Sequence, residues 1–459
     1  MIAKTQIQPA PAGEAGTEVV LDVGPVAHGG HCVARHEGRV IFVRHAIPGE
    51  KVRARLTDAD EKAKFWRADV VDVIEASPDR VDHFWHAADS RRAWSHGHPP
   101  VGGAEFGHIA LARQRSLKAD VLAEQLRRLA GVEQLLESWA GTSVEAAGGT
   151  SDGGSGLGWR TRASFSVTPA GRLGMHAHRS GHIIPIREMP LAIDAINNLR
   201  LWDIDLQGVD RVEVAAPANG SRPLVLLAPA EGTKPKRLAA IAAQLPADVS
   251  VAAFDPVTEA AEQLRGRLWV QESAAGHEYR VTGAGFWQIH RDAPGTLVGA
   301  VTEFLQGGGF LHPGAVVADL YAGAGLFTAV LADAVGETGS VLSVEGAPGT
   351  SRDARKNLHA APHVEIVQGR VERVLRQKPR DFDALILDPP RAGAGKAVVG
   401  QLVASQPRAV AYVSCDPASF ARDVGYFRQA GWELSALRAF DLYPHTHHLE
   451  TVALLTPRP

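Results

Sequence analysis

From about Gly283 to the end of the chain, continuous apolar runs alternate with helical segments, and this alternation constrains the fold more than any other feature. The runs AVVADLYAG, GSVLSVEGA, VEIVQG, FDALILDPP, RAVAYVSCDP, WELSALRAFDLYP and ETVALLTP are separated by stretches such as LFTAVLADAVG and GTSRDARKNLHAA. A strand that is apolar throughout, rather than at every second residue, is buried on both faces. Such strands predict an α/β fold built on a mostly parallel sheet. Ligands of these sheets sit beyond the carboxyl ends of the strands, so those ends are where chemistry should be sought.

The rest of the chain has a different texture. Residues 1–14 are rich in Pro, Ala and Gly and are expected to be disordered. Over 15–76, the runs TEVVLDV, HCVARH, GRVIFVRH, EKVRARL and FWRADVVDVIEA combine near-alternation with Gly and Pro punctuation. They predict a small five-stranded β-barrel with Val40, Phe42, Val52 and Val70 inside. Residues 77–155 read as a linker with one helix, spaced over 110–131 and stopped at Gly131. The six glycines within 148–158 predict a flexible loop. Residues 156–282 read as a central β-rich domain, and 283–459 as the α/β domain.

Composition enters as a set of exclusions. Two cysteines among 459 residues, Cys32 and Cys415, cannot supply a disulfide framework, a four-thiolate zinc site or a four-cysteine iron–sulfur cluster. The opening segment lacks the apolar core of a secretory signal, and no apolar run approaches the roughly 20 residues of a membrane span. A cytoplasmic protein, monomeric and without a membrane partner, is expected. The formal charge of −3 hides a basic front: from His31 to Arg67, nine Lys/Arg (Arg35, Arg39 and Arg44 among them) face five acids. Five arginines in 158–190, including Arg160 and Arg162, face only Glu188. These clusters suggest phosphate contacts, and hence binding that weakens steeply with salt, although charged side chains on a barrel commonly do no more than solvate its outer face.

Four strand ends and one strand start carry candidate chemistry. Asp319 to Gly325, DLYAGAG, follows a buried run and opens a helix, so Gly323 and Gly325 would let the backbone approach a ligand closely. A third fingerprint glycine is missing, because position 328 is Thr, and Glu345 ends the next run, placed to take two ribose hydroxyls. An adenosine without a diphosphate fits this pair best, which points to S-adenosylmethionine. Asp388-Pro389-Pro390-Arg391 ends the fourth run; the two prolines fix the backbone and aim the acid or a carbonyl into the crevice. Cys415 ends the fifth run, in SCDP, and Glu450 enters the last. A cysteine in an apolar run is commonly inert core, but this one stands at a crevice mouth in the sheet that carries the cofactor signals. C5 of uracil is a poor nucleophile toward a methyl sulfonium; a thiolate must first add at C6, and a base must later remove the C5 proton. Cys415 and Glu450 suit those two roles.

Together these residues resemble the RNA uracil-5-methyltransferase family, which makes 5-methyluridine in tRNA and rRNA. GGHCVARHEGRVIFVRHAIPGEKV is similar to the RNA-binding TRAM barrel of many rRNA-directed members, and SCDPASFARD is the most specific motif. The resemblance implies a C-terminal Rossmann-like class I methyltransferase domain, with Gln288, Tyr321, Glu345 and Asp388 contacting S-adenosylmethionine, Cys415 as nucleophile and Glu450 as proton acceptor. His290 stands where many members have Asn.

Many members hold a [4Fe–4S] cluster through a Cys-Gly-Gly-Cys segment and a later Cys-Pro pair. The matching stretches here are Val101-Gly102-Gly103-Ala104 and Met189-Pro190, so no cluster is expected. The spacing of His83, His86, His96, His98 and His108 fits no closed metal site either. The TRAM-like barrel favours 23S rRNA over tRNA as substrate. A cytosine-5 RNA methyltransferase would carry a second cysteine after the Pro-Pro turn, where Arg391 stands; a non-catalytic RNA-binding factor would need neither Cys415 nor Glu450; and a small-molecule methyltransferase would leave the barrel unexplained.

Overall fold

The computed structural model describes residues 14–133, 144–149 and 154–458. The disorder expected over 1–14 falls, apart from Glu14, outside the described residues, and so do residues 150–153 of the expected glycine loop. The chain forms two compact units. One holds the residues up to Val121 with His176–Gly181 and Pro444–His447; the other holds Leu122–Met175, His182–Tyr443 and His448–Pro459. These limits cut across the segments read from composition: most of the linker joins the barrel, and the central β-rich segment shares a unit with the α/β segment.

In the first unit, β1 (Glu18–Asp22), β2 (Cys32–His36), β3 (Arg39–Arg44), β4 (Lys51–Asp58) and β5 (Phe65–Glu75) form one sheet in the order β1-β4-β5-β3-β2. Register shifts interrupt the β4–β5 ladder in three places, and bulges of this kind add the twist that curls a small sheet. Val52, Ala54, Leu56 and Val70 face the core as period-2 alternation requires. On β3 the expected phase is wrong: Ile41 and Val43 are the buried residues, while Val40 and Phe42 are partly exposed. Phe42 instead meets Phe65 edge to face, ring centres 5.0 Å apart. The carboxylates of Asp69 and Glu50 are fully buried beneath bidentate partners, Arg44 (2.9 Å twice) and Arg80 (2.6 Å twice).

The expected helix forms over Leu111–Gln125 and ends in a π-helical turn, Leu126–Ala130, with left-handed Gly131 (φ 63°) as the stop. The short strand β6 (Glu145–Ala146), foreseen by nothing in the sequence, adds to the far edge of the C-terminal sheet. Arg438 holds it there by two bonds to Glu145, 2.8 and 2.6 Å. The central region contributes β7 (Arg162–Val167), β8 (Leu173–His176), β9 (Ile183–Pro185), β10 (Val209–Ala215), β11 (Leu224–Pro229), β12 (Ser250–Phe254) and β13 (Ala261–Arg265). They form a seven-stranded sheet in the order β13-β12-β11-β10-β7-β8-β9. A hairpin follows, β14 (Trp269–Ala274) with β15 (His277–Thr282).

The seven apolar runs become β16 (Val316–Leu320), β17 (Ser340–Glu345), β18 (Val364–Gln368), β19 (Ala384–Leu387), β20 (Ala409–Ser414), β21 (Trp432–Asp441) and β22 (Glu450–Pro457). With β6 they make an eight-stranded sheet in the order β18-β17-β16-β19-β20-β22-β21-β6. Strands β16 to β20 are parallel, and β22 inserts antiparallel between β20 and β21. Every residue from Ala409 to Val413 is buried, as two covered faces demand; Val410 and Val413 each contribute about 1.5–3 kcal/mol. The chain leaves β16 toward β17 on one side and returns to β19 on the other. That reversal opens a crevice at the carboxyl ends of β16 and β19.

Candidate active site

The turn after β16 is held in left-handed backbone by Tyr321 (φ 64°), Gly323 (φ 56°) and Gly325 (φ 95°). A Cβ at Gly325 would meet Leu358 at 2.9 Å, whereas one at Gly323 would meet nothing within 4 Å. The first glycine is needed for both fit and conformation, the second for conformation alone, and the latter leaves bare backbone facing open space. Glu345 closes the turn: its Oε2 accepts from Gly323 N–H (2.8 Å) and its Oε1 from Ala347 N–H (2.6 Å). Each carboxylate oxygen keeps a further lone pair for a ligand hydroxyl.

Under the turn lies fully buried Asp319, whose Oδ2 accepts from the Thr328 hydroxyl at 2.5 Å. Its Oδ1 has no partner among the described residues. Burial pushes this carboxyl up to about 7, against the pull of Thr328. A desolvated carboxylate with a spare acceptor beneath a glycine turn fits a ligand that brings hydroxyl or cationic donors, as S-adenosylmethionine does. Sequence reading took Asp319 only as the start of the turn.

Gln288 is buried on the segment after β15. That segment is fastened just before β7 through Ile289, whose carbonyl accepts from both the N–H and the hydroxyl of Thr161 (2.8 and 3.0 Å). Its neighbours are fixed by rings: Trp287 packs on Tyr279, and His290 stacks on Trp159 at 5.5 Å and 17°. The unusual residue at 290 is thus a buried anchor, its imidazole pushed down to about 4 by desolvation.

Asp388 follows β19 and donates its N–H to Leu320 O at 3.3 Å. The loop beyond it is tied back by Asp423, the last residue of SCDPASFARD. Its buried carboxylate accepts from Ala394 N–H (2.7 Å), Gly395 N–H (3.2 Å) and the Tyr412 hydroxyl (2.7 Å). This tether links the Arg391 loop to the helix Pro417–Gln429 that starts just beyond Cys415.

The last pair in the β20–β22 ladder is Ser414↔Thr451. Cys415 and Glu450 are the next residues on the two strands, and Glu450 lies within electrostatic reach of the thiol. Glu450 is buried and accepts from the Tyr443 hydroxyl at 2.9 Å. Cys415 is a free, partly exposed thiol. Desolvation, then Glu450, push it up to about 12, with Arg391 pulling the other way. Glu450 is pushed up to about 7 by desolvation and eased down by the Tyr443 bond and by Arg391. Asp388 is held well above the usual carboxylate range by desolvation, with Glu450 and Asp319 adding to it. Three acids and one guanidinium therefore act on one another at the crevice.

The basic candidates separate. Arg160 lies within electrostatic reach of Tyr443 and Arg391 and donates to Arg162 O at 2.8 Å. Arg162 is interior: it donates to Gly285 O at 2.7 Å and stands 4.0 Å from Glu272. In the first unit Arg35 is exposed. Arg39 donates to Ala63 O (2.6 Å) and lies 4.6 Å over Trp66, while Arg44 is bound to Asp69. The charge count that singled out Arg162 and Arg44 could not see partners 110 and 25 positions away in sequence.

Val101, Ala104 and Met189, where cluster thiolates would be expected, are buried apolar side chains and offer a cluster no ligand. Among the described residues no group of three or more His, Cys, Asp or Glu could hold a metal ion, and no helix is long and apolar enough to cross a membrane.

Residues 369–458 match the family model of tRNA (uracil-5-)-methyltransferase and residues 14–71 that of the TRAM domain. Residues 251–372, which include the glycine turn and Glu345, match that of protein-L-isoaspartate(D-aspartate) O-methyltransferase. An uncharacterized RNA methyltransferase of Streptomyces avermitilis is 43% identical over 96% of this chain and 99% of its own length. The 23S rRNA (uracil(1939)-C(5))-methyltransferase RlmD of Shewanella denitrificans is 28% identical over 95% of each chain. The solved tRNA (uracil-54, C5)-methyltransferase of Pyrococcus abyssi, in complex with S-adenosyl-L-homocysteine, shares the fold with a TM-score of 0.68 at 20% identity, over 95% of this chain and 99% of that one.

Proposed function

The chain belongs to the RNA uracil-5-methyltransferase family, S-adenosylmethionine-dependent RNA methyltransferases, and we propose from that premise that it methylates uracil C5 in 23S rRNA through a covalent Cys415 adduct. The observation that carries the reading is that Cys415 and Glu450 flank the last pair of the β20–β22 ladder, Ser414↔Thr451, and lie within electrostatic reach of each other. A thiol and a carboxylate so placed can address the adjacent C6 and C5 atoms of one pyrimidine.

Gln288, Tyr321, Gly323, Gly325, Glu345 and Asp388 hold S-adenosylmethionine in this reading, and Asp319 supplies a further acceptor. When bound, the cofactor supplies an electrophilic methyl group. Cys415 gives its proton to solvent water and the thiolate adds to C6, which places enolate density at C5; Arg391 is the protein cation that favours the thiolate. After C5 is methylated, Glu450 takes the C5 proton, the C5–C6 double bond re-forms and the thiolate leaves. The target base reaches such a crevice by leaving its stack, as bases in RNA loops do at least cost. Arg35 remains the candidate for phosphate contacts, because Arg39, Arg44, Arg160 and Arg162 are engaged by the protein itself.

The choice of 23S rRNA rests on the barrel at residues 14–71 and on the RlmD relative. Transcripts of 23S rRNA and tRNA, incubated with the protein and methyl-deuterated S-adenosylmethionine, are digested to nucleosides for mass spectrometry. The expected product is labelled 5-methyluridine from the rRNA. Label in tRNA alone would move the substrate to tRNA, and label in 5-methylcytidine, or in neither RNA, would refute the reading.

A further inference from the structure

Tyr443 stands two residues beyond β21 and ends in the hydroxyl that donates to Glu450 Oε1 at 2.9 Å. Its ring is held edge-on by two others, Trp159 at 5.9 Å and 81° and His448 at 5.7 Å and 74°. A ring clamped on two sides presents its hydroxyl in one direction. We propose that Tyr443 is a positioning residue that holds Glu450 as an oriented carboxylate for removal of the C5 proton, an inference that rests on the role proposed for Glu450.

The groups that face Glu450 explain why such a residue is needed. Asp388, after β19, and Cys415, after β20, both add negative charge when ionised. Arg391 is the opposing cation, and it sits on an exposed turn; Arg160 acts on Tyr443 and Arg391 from the other side. Burial favours a neutral Glu450, which could accept no proton. A phenolic O–H favours the charged form without bringing a charge of its own. The donor occupies Oε1, which leaves Oε2 to receive the proton. In that step the C5–H bond breaks, an O–H bond forms on Oε2, and the electron pair restores C5=C6 as the C6–S bond breaks. Tyr443 keeps its own proton throughout.

Tyr443→Phe preserves the ring and its packing and removes only the donor. With 5-fluorouridine-substituted RNA the variant still forms the covalent adduct. With normal RNA, release of the methylated product slows about fivefold at pH 7, and the acid limb of its pH profile moves up by about one unit, as loss of one hydrogen bond to a charged group implies. A second measurement needs no turnover: the infrared band of a protonated carboxyl, identified by its loss in Glu450→Gln, titrates at higher pH in Tyr443→Phe. A wild-type release profile and an unmoved band in Tyr443→Phe, with adduct accumulating in Glu450→Gln, would overturn the proposal while leaving the role of Glu450 intact. Wild-type release by Glu450→Gln would remove both.

Discussion

Cys415→Ala abolishes methyl transfer, with a loss on the order of 10⁴-fold or more, and with it all covalent capture of 5-fluorouridine-substituted RNA. The expectation follows from the electronics of the base. Uracil C5 gains nucleophilic character only after a nucleophile has added at C6, and no other thiol is available: Cys32 is buried in the barrel. The Cys32 thiol is enclosed there and donates to Ala46 O at 3.5 Å, so no base reaches it. Cys415 has a different setting, partly exposed at a strand end with Arg391 favouring its thiolate. Fluorine at C5 cannot leave as a proton, so the wild-type adduct persists on a denaturing gel. Full capture by the alanine variant would remove Cys415 from the mechanism.

Glu450→Gln separates the two halves of the reaction. The thiol can still add and C5 can still be methylated, but no carboxylate takes the proton, so protein–RNA adduct carrying the new methyl group accumulates. Turnover falls by about 10²–10⁴-fold, the range over which a positioned base acts. The pH dependence has a definite sign. Glu450 works as the ionised form and sits at about 7, so wild-type release rises with pH between roughly 6 and 8. The variant loses that rise. A glutamine variant that turns over at the wild-type rate would place the base elsewhere.

The parts of this account that were legible in sequence are those in which one strand carries its own signal. Runs such as RAVAYVSCDP are apolar without a break because both faces are covered, and β20 has only buried residues. The phase of β3 was not legible: Arg39-Val40-Ile41-Phe42-Val43-Arg44 is apolar at four successive positions, so alternation does not say which pair faces in, and its pairing with β5 and β2 turns Ile41 and Val43 inward. Two-residue β6 has no pattern at all and exists through Arg438 and the edge of β21.

Within the site, the proposed roles of Cys415 and Glu450 could be read from sequence because uracil chemistry demands their two residue types. The residues that hold the pair could not. Asp423 shapes the Arg391 loop from a helix 28 to 29 positions away. Asp319 and Tyr443 act through a spare acceptor and a single hydroxyl. Arg162 shows the opposite failure, since a local excess of positive charge describes a solvated face and an interior ion pair equally well.

The central claim, methylation of uridine at C5, is tested most directly by the fate of the hydrogen already bonded there. RNA carrying tritium at C5 of its uridines is incubated with the protein and S-adenosylmethionine, and methyl incorporation and tritium release are measured together. The account predicts one tritium released to water for each methyl group transferred. Methyl transfer with the tritium retained on the RNA would contradict it.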